Sequence, residues 1–302
     1  MKGTTTEQIS RTLDDFHRYK IYNPDSMVTI VNRLDQDASG RFLKNYLKNN
    51  QGLMQANGSI VNGVYCAVFP SEDVFDYLNV EKISDAILFV KHAMEWEELG
   101  RGFVPLKDRQ LEFLKNRRIS LYSAHAPVDN NKTFAPSVCF ARQLEHNIVD
   151  ELAEKGRNYG WVLEVPEGIT YDQFYQCLLG VTGLKNTQKY NHHDLVKRIA
   201  VTAGGGDYIS TLEQAFTKEC DTYVTGILFF RGSDYAREQN PIFVDRLKEI
   251  GLNGFGVSHY LSEVEGIKTL ANLLNEILSV PVRFIEEQKK RKHLEENWGF
   301  EL

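Results

Sequence analysis

The sequence predicts an α/β fold, and two observations carry this prediction. Short apolar runs of strand length alternate with longer amphipathic stretches along the 302 residues, which is typical of successive βα units. Polar or glycine residues follow four of the apolar runs. In α/β sheets such positions lie at the carboxyl ends of strands, where ligands bind. We therefore expect a functional site at a common sheet edge.

Seven apolar runs are the candidate strands. They occupy residues 64–70 (VYCAVFP), 86–90 (AILFV), 119–124 (ISLYSA), 161–165 (WVLEV), 198–203 (RIAVTA), 222–230 (TYVTGILFF) and 254–258 (GFGVS). The clearest helix follows the last run, because its apolar residues recur at helical spacing up to Leu278. Ser262 followed by Glu265 matches a capping box, which predicts that this helix begins at Ser262. On this prediction His259 ends a strand, Glu263 lies in the first helical turn, and the two converge across a β-to-α turn.

Composition narrows the classes of function. The chain is 42% hydrophobic and 25% charged, as expected for a soluble globular protein, and its net charge of −6 argues against nucleic-acid binding. The four cysteines are far apart and form no C-x-x-C pair, which favours a reducing cytoplasm over a disulfide framework or a zinc ribbon. The N-terminus lacks a signal-peptide pattern, and no apolar run reaches the roughly 20 residues that span a bilayer. We expect a cytoplasmic protein without membrane partners.

The alternation of apolar runs and amphipathic stretches is more regular in some parts of the chain than in others, which suggests a division into lobes. Residues 1–285 are predicted to form one unit of two lobes, approximately 1–130 plus 196–285, with a looser central section at 131–195. The tail 286–302 is dense in charges of both signs, which is typical of a solvated helix or a disordered segment. Docking of a partner on Trp298 and Phe300 is the alternative.

The residues after the apolar runs have metal-ligating chemistry. A lone histidine at a strand end is more often structural than a ligand. Imidazoles and carboxylates together, however, suit Zn, Fe, Mn or Co, and two such ions about 3.5 to 4 Å apart could activate a water. The predicted ligands are His92, Asp129, His259 and Glu263. His125, four residues before Asp129, would orient a ligand or transfer protons.

The GGGD segment after residues 198–203 allows two interpretations. The backbone N–H groups of Gly204, Gly205 and Gly206 could bind a phosphate, or the glycines could only form a tight turn. The segment lacks the G-K-[ST] ending of a P-loop, so both interpretations stay open.

Four segments, HAPVD, VTAGGGD, YVTG and SHYLSEVEGIKTLANLL, resemble the Nif-three-like family in order and approximate spacing. The likeness covers roughly residues 50–285 and is strongest from residue 198. It implies a two-lobed architecture of mixed sheets with flanking helices, a dinuclear metal site at strand carboxyl ends, a homohexamer, and the activity in the family name "GTP cyclohydrolase type-two homologue". The family's ligands are two adjacent histidines, the aspartate of H-x-x-x-D and both ends of H-x-x-x-E. In this chain the second histidine is His92, the aspartate is Asp129, and the last two are His259 and Glu263.

The chain departs from the family pattern at two places. Lys91 replaces the first of the two histidines, and a lysine ammonium donates hydrogen bonds but cannot accept them. The site could then hold one ion with the ammonium in place of the second, or Glu95 or Glu97 could compensate the charge. After YVTG the chain continues with apolar residues 227–230, which would reduce polar contacts with a substrate.

Two functions follow from these observations. One is a metal-dependent hydrolase with one or two divalent ions per chain, acting on a small molecule such as a nucleotide or related heterocycle. The alternative is a non-catalytic, metal-containing oligomeric scaffold or regulatory protein, which Lys91 and the apolar segment would favour.

Overall fold

A computed structural model of the chain describes residues 4–17, 26–49, 51–229 and 234–299. The helices of this part are α1 (Thr6–His17), α2 (Ser26–Leu34), α3 (Ala38–Arg41), α4 (Lys44–Asn49), α5 (Glu72–Val80), α6 (Asp108–Asn116), α7 (Ala126–Asp129), α8 (Pro136–Gln143), α9 (Tyr171–Thr182), α10 (Ile209–Thr217), α11 (Asp234–Glu249), α12 (His259–Ile277) and α13 (Gln288–Asn297). The strands are β1 (Gly52–Gln55), β2 (Val64–Ala67), β3 (Ala86–Val90), β4 (Glu95–Glu97), β5 (Gly102–Val104), β6 (Ile119–Ser123), β7 (Asn147–Glu154), β8 (Arg157–Thr170), β9 (Gln188–Tyr190), β10 (Leu195–Val201), β11 (Thr222–Thr225), β12 (Asn253–Gly256) and β13 (Val282–Phe284).

The strands form two mixed sheets and one small hairpin. The five-stranded sheet has the order β1-β6-β3-β2-β13, with β1 antiparallel to β6 and the other pairs parallel. The six-stranded sheet has the order β7-β8-β10-β11-β12-β9, and its β10, β11 and β12 run parallel. Strands β4 and β5 pair with each other. The predicted α/β fold of mixed sheets with helices is confirmed.

The chain divides into two compact units, each with its own core. The first unit comprises Met1–Glu97, Phe103–Asn131 and Ile267–Gln288; the second comprises Glu98–Gly102, Lys132–Gly266 and Lys289–Leu302. In the first, every residue of β3 and β6 is buried, as expected for strands inside a sheet covered on both faces. In the second, every residue of β11 is buried, and Phe243 and Leu247 of α11 belong to the core.

Each of the seven predicted strands overlaps an observed strand, but two segments differ from the prediction. The run at 222–230 ends as a strand at Thr225, and the amides of Leu228 and Phe229 donate to the side-chain Oε1 of Gln188 at 3.0 and 2.8 Å instead of to a neighbouring strand. Phe230 lies outside the described residues. The central section at 131–195 is regular: it contains α8, β7, β8, α9 and β9, and the long β8 pairs with β7 on one side and β10 on the other.

The charged tail forms a helix, one of the two predicted alternatives, whose side chains are mostly exposed or half-buried, but it also packs on the protein. Helix α13 buries Leu294 completely. Trp298 is 4% exposed, and its indole Nε1–H donates to the carbonyl of Gly256 at 2.8 Å. Phe300 lies outside the described residues. Among the helices described here, none has the length and apolar character needed to cross a bilayer.

Candidate metal centre

In the first unit, the predicted site residues follow two neighbouring parallel strands. Lys91 and His92 come directly after β3, and their amides donate to the carbonyls of Ala67 and Val68 at 3.2 and 3.1 Å, which continues the pairing with the chain after β2. Both residues are 1% exposed. His125 follows β6, the other neighbour of β3 in the sheet. The carboxyl ends of adjacent parallel strands therefore bring these side chains together.

Lys91 lies between a carboxylate and an imidazole. Its Nζ is 3.1 Å from Asp129 Oδ1 and 3.3 Å from His92 Nε2. The other carboxylate oxygen, Asp129 Oδ2, is 3.5 Å from His125 Nε2. Asp129 reaches this position because α7 is a single turn whose Asp129 amide donates back to the His125 carbonyl at 3.1 Å. Asp129, which the sequence analysis expected to ligate a metal ion, is thus in direct contact with Lys91.

Aromatic contacts set the orientation of the His92 ring. The ring stacks on Phe69, with centroids 4.6 Å apart and planes 15° from parallel. The His125 ring is 4.9 Å away from the His92 ring, centroid to centroid. An imidazole held by stacking loses few rotamers on binding an ion, which favours a ligand role.

In the second unit, His259 and Glu263 lie on one helix, so the predicted helix start at Ser262 is wrong. Helix α12 begins at His259. The preceding Ser258 accepts a hydrogen bond from the Leu261 amide at 3.2 Å, as an N-cap residue does. His259 Nε2 and Glu263 Oε1, one helical turn apart, are separated by 3.3 Å, and the side chains are 5% and 2% exposed. They form a buried imidazole–carboxylate pair rather than converging across a turn.

A carboxylate distant in sequence completes the start of α12. Glu98 is 6% exposed and accepts from the Tyr260 amide at 2.6 Å, the His259 amide at 3.2 Å and the Ser258 hydroxyl at 2.8 Å. The first amides of a helix have no partner within it, and an anion at that end is further stabilised by the helix dipole. Glu98 thereby fixes the backbone of His259. Sequence reasoning missed it, since nothing local links it to a helix more than a hundred residues away.

The glycine segment after β10 lies against the ligating atoms of this pair. Gly204 has φ +70°, and a Cβ built on it would stand 2.5 Å from Glu263 Oε1 and 3.0 Å from His259 Nε2. Its amide donates to the Ser262 hydroxyl at 2.9 Å, so Ser262 anchors this loop instead of capping the helix. Only glycine allows both this backbone conformation and this approach.

The other glycines of the loop are also held by the protein. The Gly206 amide donates to Thr225 Oγ1 at 3.1 Å, and its carbonyl accepts from the Tyr223 hydroxyl at 2.6 Å. With the Gly204 amide bound by Ser262, two of the three amides predicted to bind a phosphate already donate within the second unit. Phosphate binding by Gly204, Gly205 and Gly206 stays a prediction.

The prediction of one common sheet edge is wrong. The two strands that precede His92 and His125, β3 and β6, belong to the five-stranded sheet, whereas β10 and β12 belong to the six-stranded sheet. Within each sheet the prediction of a site at strand carboxyl ends agrees with where these residues lie.

Asp207, the last residue of the GGGD segment, is a further acidic residue whose charge interacts with His259. Burial raises its pKa from 3.8 to about 6, although its own backbone, the charge of His259 and a hydrogen bond from Asn240 act in the opposite direction. The fully buried Asn240 donates to Asp207 Oδ2 at 2.6 Å. The adjacency of Asp207 to the glycines was the available signal; Asn240 offered none.

The donor chemistry of these residues fits a transition metal. Among the described residues, His92, His259 and Glu263 could together hold a metal ion. Two imidazoles and one carboxylate form a ligand set common to zinc hydrolases and non-haem iron enzymes, and three protein ligands leave a coordination position open. Gly204 leaves room for two of these ligands, because a side chain at this position would collide with Glu263 Oε1 and His259 Nε2.

Comparison with known proteins identifies relatives over most of the chain. The family model for Duf34/NIF3 (NGG1p interacting factor 3) matches residues 28–291. A protein of Archaeoglobus fulgidus named GTP cyclohydrolase 1 type 2 homolog is 25% identical over 256 residues, which covers 82% of this chain and 95% of that protein.

Solved structures share the fold. The protein ybgI, described as of unknown function, superposes with a TM-score of 0.69 at 18% identity and covers 93% of this chain and 98% of its own. The protein TTHA1606 from Thermus thermophilus gives a TM-score of 0.62 at 24% identity, covering 94% of this chain and 98% of its own.

Proposed function

The chain belongs to the Duf34/NIF3 family, and from this premise we propose that it is a metal-dependent hydrolase acting on a nucleotide or related heterocycle. The observation that carries the proposal is the buried His259–Glu263 pair, with the Gly204 backbone against its ligating atoms. A carboxylate and an imidazole that are both almost fully buried are costly unless they are paired or bind an ion.

Each residue has a distinct role in this proposal. His92, His259 and Glu263 ligate one divalent ion of Zn, Fe, Mn or Co. When bound, such an ion supplies a Lewis acid that polarises the bond under attack. His125 transfers protons, and Asp129, 3.5 Å from its Nε2, orients the imidazole and stabilises its protonated form.

The relatives support the substrate class. Their name, GTP cyclohydrolase 1 type 2 homolog, points to a nucleotide. A homohexamer is the assembly that the family resemblance implies, and the cysteine pattern favours a cytoplasmic location. The predicted scaffold function is the second candidate. The contact between Lys91 and Asp129 favours it, because a carboxylate bound to an ammonium is less available for chemistry.

Metal content tests the proposal. We expect Glu263→Gln and His259→Ala to lower metal affinity by more than the roughly 10- to 100-fold that loss of an outer-shell partner costs. Glu265→Gln is the matched control, since this residue lies on the same helix and is only partly buried. Elemental mass spectrometry after dialysis against a weak chelator measures the ions per chain. Equal metal content in all variants and the unaltered chain would remove the pair from the ligand set.

Activity is tested separately on a panel of nucleotides. The hydrolase predicts turnover that requires the ion and disappears in Glu263→Gln. Tight binding of a nucleotide without turnover would favour the scaffold.

A further inference from the structure

The ammonium of Lys91 is a cation built into the predicted ligand cluster of the first unit. The side chain is 1% exposed, and Nζ contacts Asp129 Oδ1 at 3.1 Å and His92 Nε2 at 3.3 Å. A lysine ammonium carries three N–H donors and no acceptor, so Lys91 donates to Asp129. It therefore uses a lone pair of the Asp129 carboxylate that would otherwise be available to a metal ion.

Asp129 is engaged on both of its oxygens. Oδ1 binds Lys91, and Oδ2 is 3.5 Å from His125 Nε2. An ion that used Asp129 as a ligand would have to sit within a few ångströms of Nζ. Repulsion between two cations at such a distance is strong where water is scarce, and it doubles for a divalent ion.

The ion pair also explains how a lysine can be buried here. A buried charge is tolerated when it is paired and hydrogen-bonded, and removing one partner is strongly destabilising. Asp129 meets this requirement because α7 is one turn long and follows β6, the neighbour of β3 in the sheet. The carboxylate is thus placed as the counter-ion of Lys91.

We propose that the Lys91 ammonium takes the place of a second metal ion, so that the chain binds one divalent ion and Asp129 neutralises Lys91 instead of ligating metal. This inference rests on the proposed metal centre at His259 and Glu263. It removes Asp129 from the set of ligands that the family resemblance implies. It also reduces the predicted one or two ions per chain to one.

The test measures Zn²⁺ bound per chain, by elemental mass spectrometry, on protein stripped with chelator and reloaded with Zn²⁺ alone. We expect one ion in the unaltered chain and one in Asp129→Asn. In Lys91→His we expect a rise towards two, because an imidazole replaces the ammonium and releases Asp129. Lys132→His is the matched control: this lysine is 71% exposed and pairs with Glu151 at 3.1 Å, so a new imidazole there should leave the content unchanged.

The outcomes separate the two proposals. Two ions in the unaltered chain would overturn the role of Lys91 but not the metal centre, and loss of the ion in Asp129→Asn would do the same. A folded Lys91→His that still binds one ion would also overturn it. Zero ions in every protein would overturn the metal centre itself. If Lys91→His fails to fold, the unaltered chain and Asp129→Asn still decide.

Discussion

Replacing Gly204 by alanine tests how the second unit builds its part of the site. At φ +70° an alanine incurs a cost of about 1–2 kcal/mol for the left-handed conformation. Its Cβ would also stand 2.5 Å from Glu263 Oε1. Since carbon contacts have their optimum near 3.5 to 4.0 Å, the carboxylate must move by about 1 Å. A ligand displaced by that much should lose about 10- to 100-fold in metal affinity, the effect typical of a disturbed outer shell.

Gly156→Ala is the matched control for this experiment. Gly156 has φ +78°, but a Cβ built there meets no atom of the described residues within 4 Å. Chemical unfolding of the metal-free proteins should show a lower free energy of unfolding in both variants, because both incur the conformational cost of the left-handed backbone. In Gly204→Ala this free energy should fall further, because the new Cβ displaces Glu263. Competition with a chromogenic chelator should show weaker Zn²⁺ binding in Gly204→Ala alone. If both variants bind Zn²⁺ equally well, the close packing of Gly204 against the ligands is not what shapes the site.

Two further predictions concern stability. Burial lowers the pKa of His17, stacked on Phe89, from 6.5 to about 3, so below pH 6.5 the unfolded chain binds a proton that the native protein does not. The free energy of unfolding should therefore fall by about 2 kcal/mol from pH 6.5 to 5 through His17 alone. Urea unfolding should show a smaller pH dependence of this free energy in His17→Gln and the original pH dependence in the exposed His193→Gln. An unchanged pH dependence in His17→Gln would contradict the role of His17. Glu98→Gln keeps the shape of the side chain but removes the negative charge that accepts three hydrogen bonds. Thermal unfolding should therefore show a free energy of unfolding lower by about 1–3 kcal/mol, and Zn²⁺ binding should weaken. The exposed Glu112→Gln should change neither, and a Glu98→Gln protein as stable as this control would mean that the anion at the helix start is unimportant.

The central strands could be predicted from sequence because a strand that is buried on both faces has a nearly continuous run of apolar residues. Strands β3 and β6 are apolar over most of their length, and their boundaries follow the apolar runs closely. Edge strands lack this mark. Strand β7, at the edge of the six-stranded sheet, has equal numbers of polar and apolar residues and largely exposed or half-buried side chains, so no continuous apolar run predicts it. The apolar runs also could not reveal that they divide between two sheets, since pairing depends on residues distant in sequence.

The start of α12 shows why a local capping signal was insufficient. Ser262 and Glu265 have the spacing of a capping box, but a helix can begin earlier when other groups satisfy its first amides. Ser258 and Glu98 do so here, and the Ser262 hydroxyl accepts from Gly204 instead. The difference changes the chemistry: it places His259 and Glu263 on adjacent turns of one helix.

The effect of Lys91 depends on topology in a way that the sequence could only partly convey. The family resemblance identifies the lysine in place of a histidine, and proximity in the chain suggests Glu95 or Glu97 as the compensating charge. The structure places Asp129 against it, because β3 and β6 are parallel neighbours and the single turn of α7 returns Asp129 to the end of β3. A residue expected to ligate metal is therefore the counter-ion of an internal cation. Changing one histidine to lysine would alter both the positive charge at this position and the ligand set around it, which is why the number of ions bound should follow from the identity of residue 91.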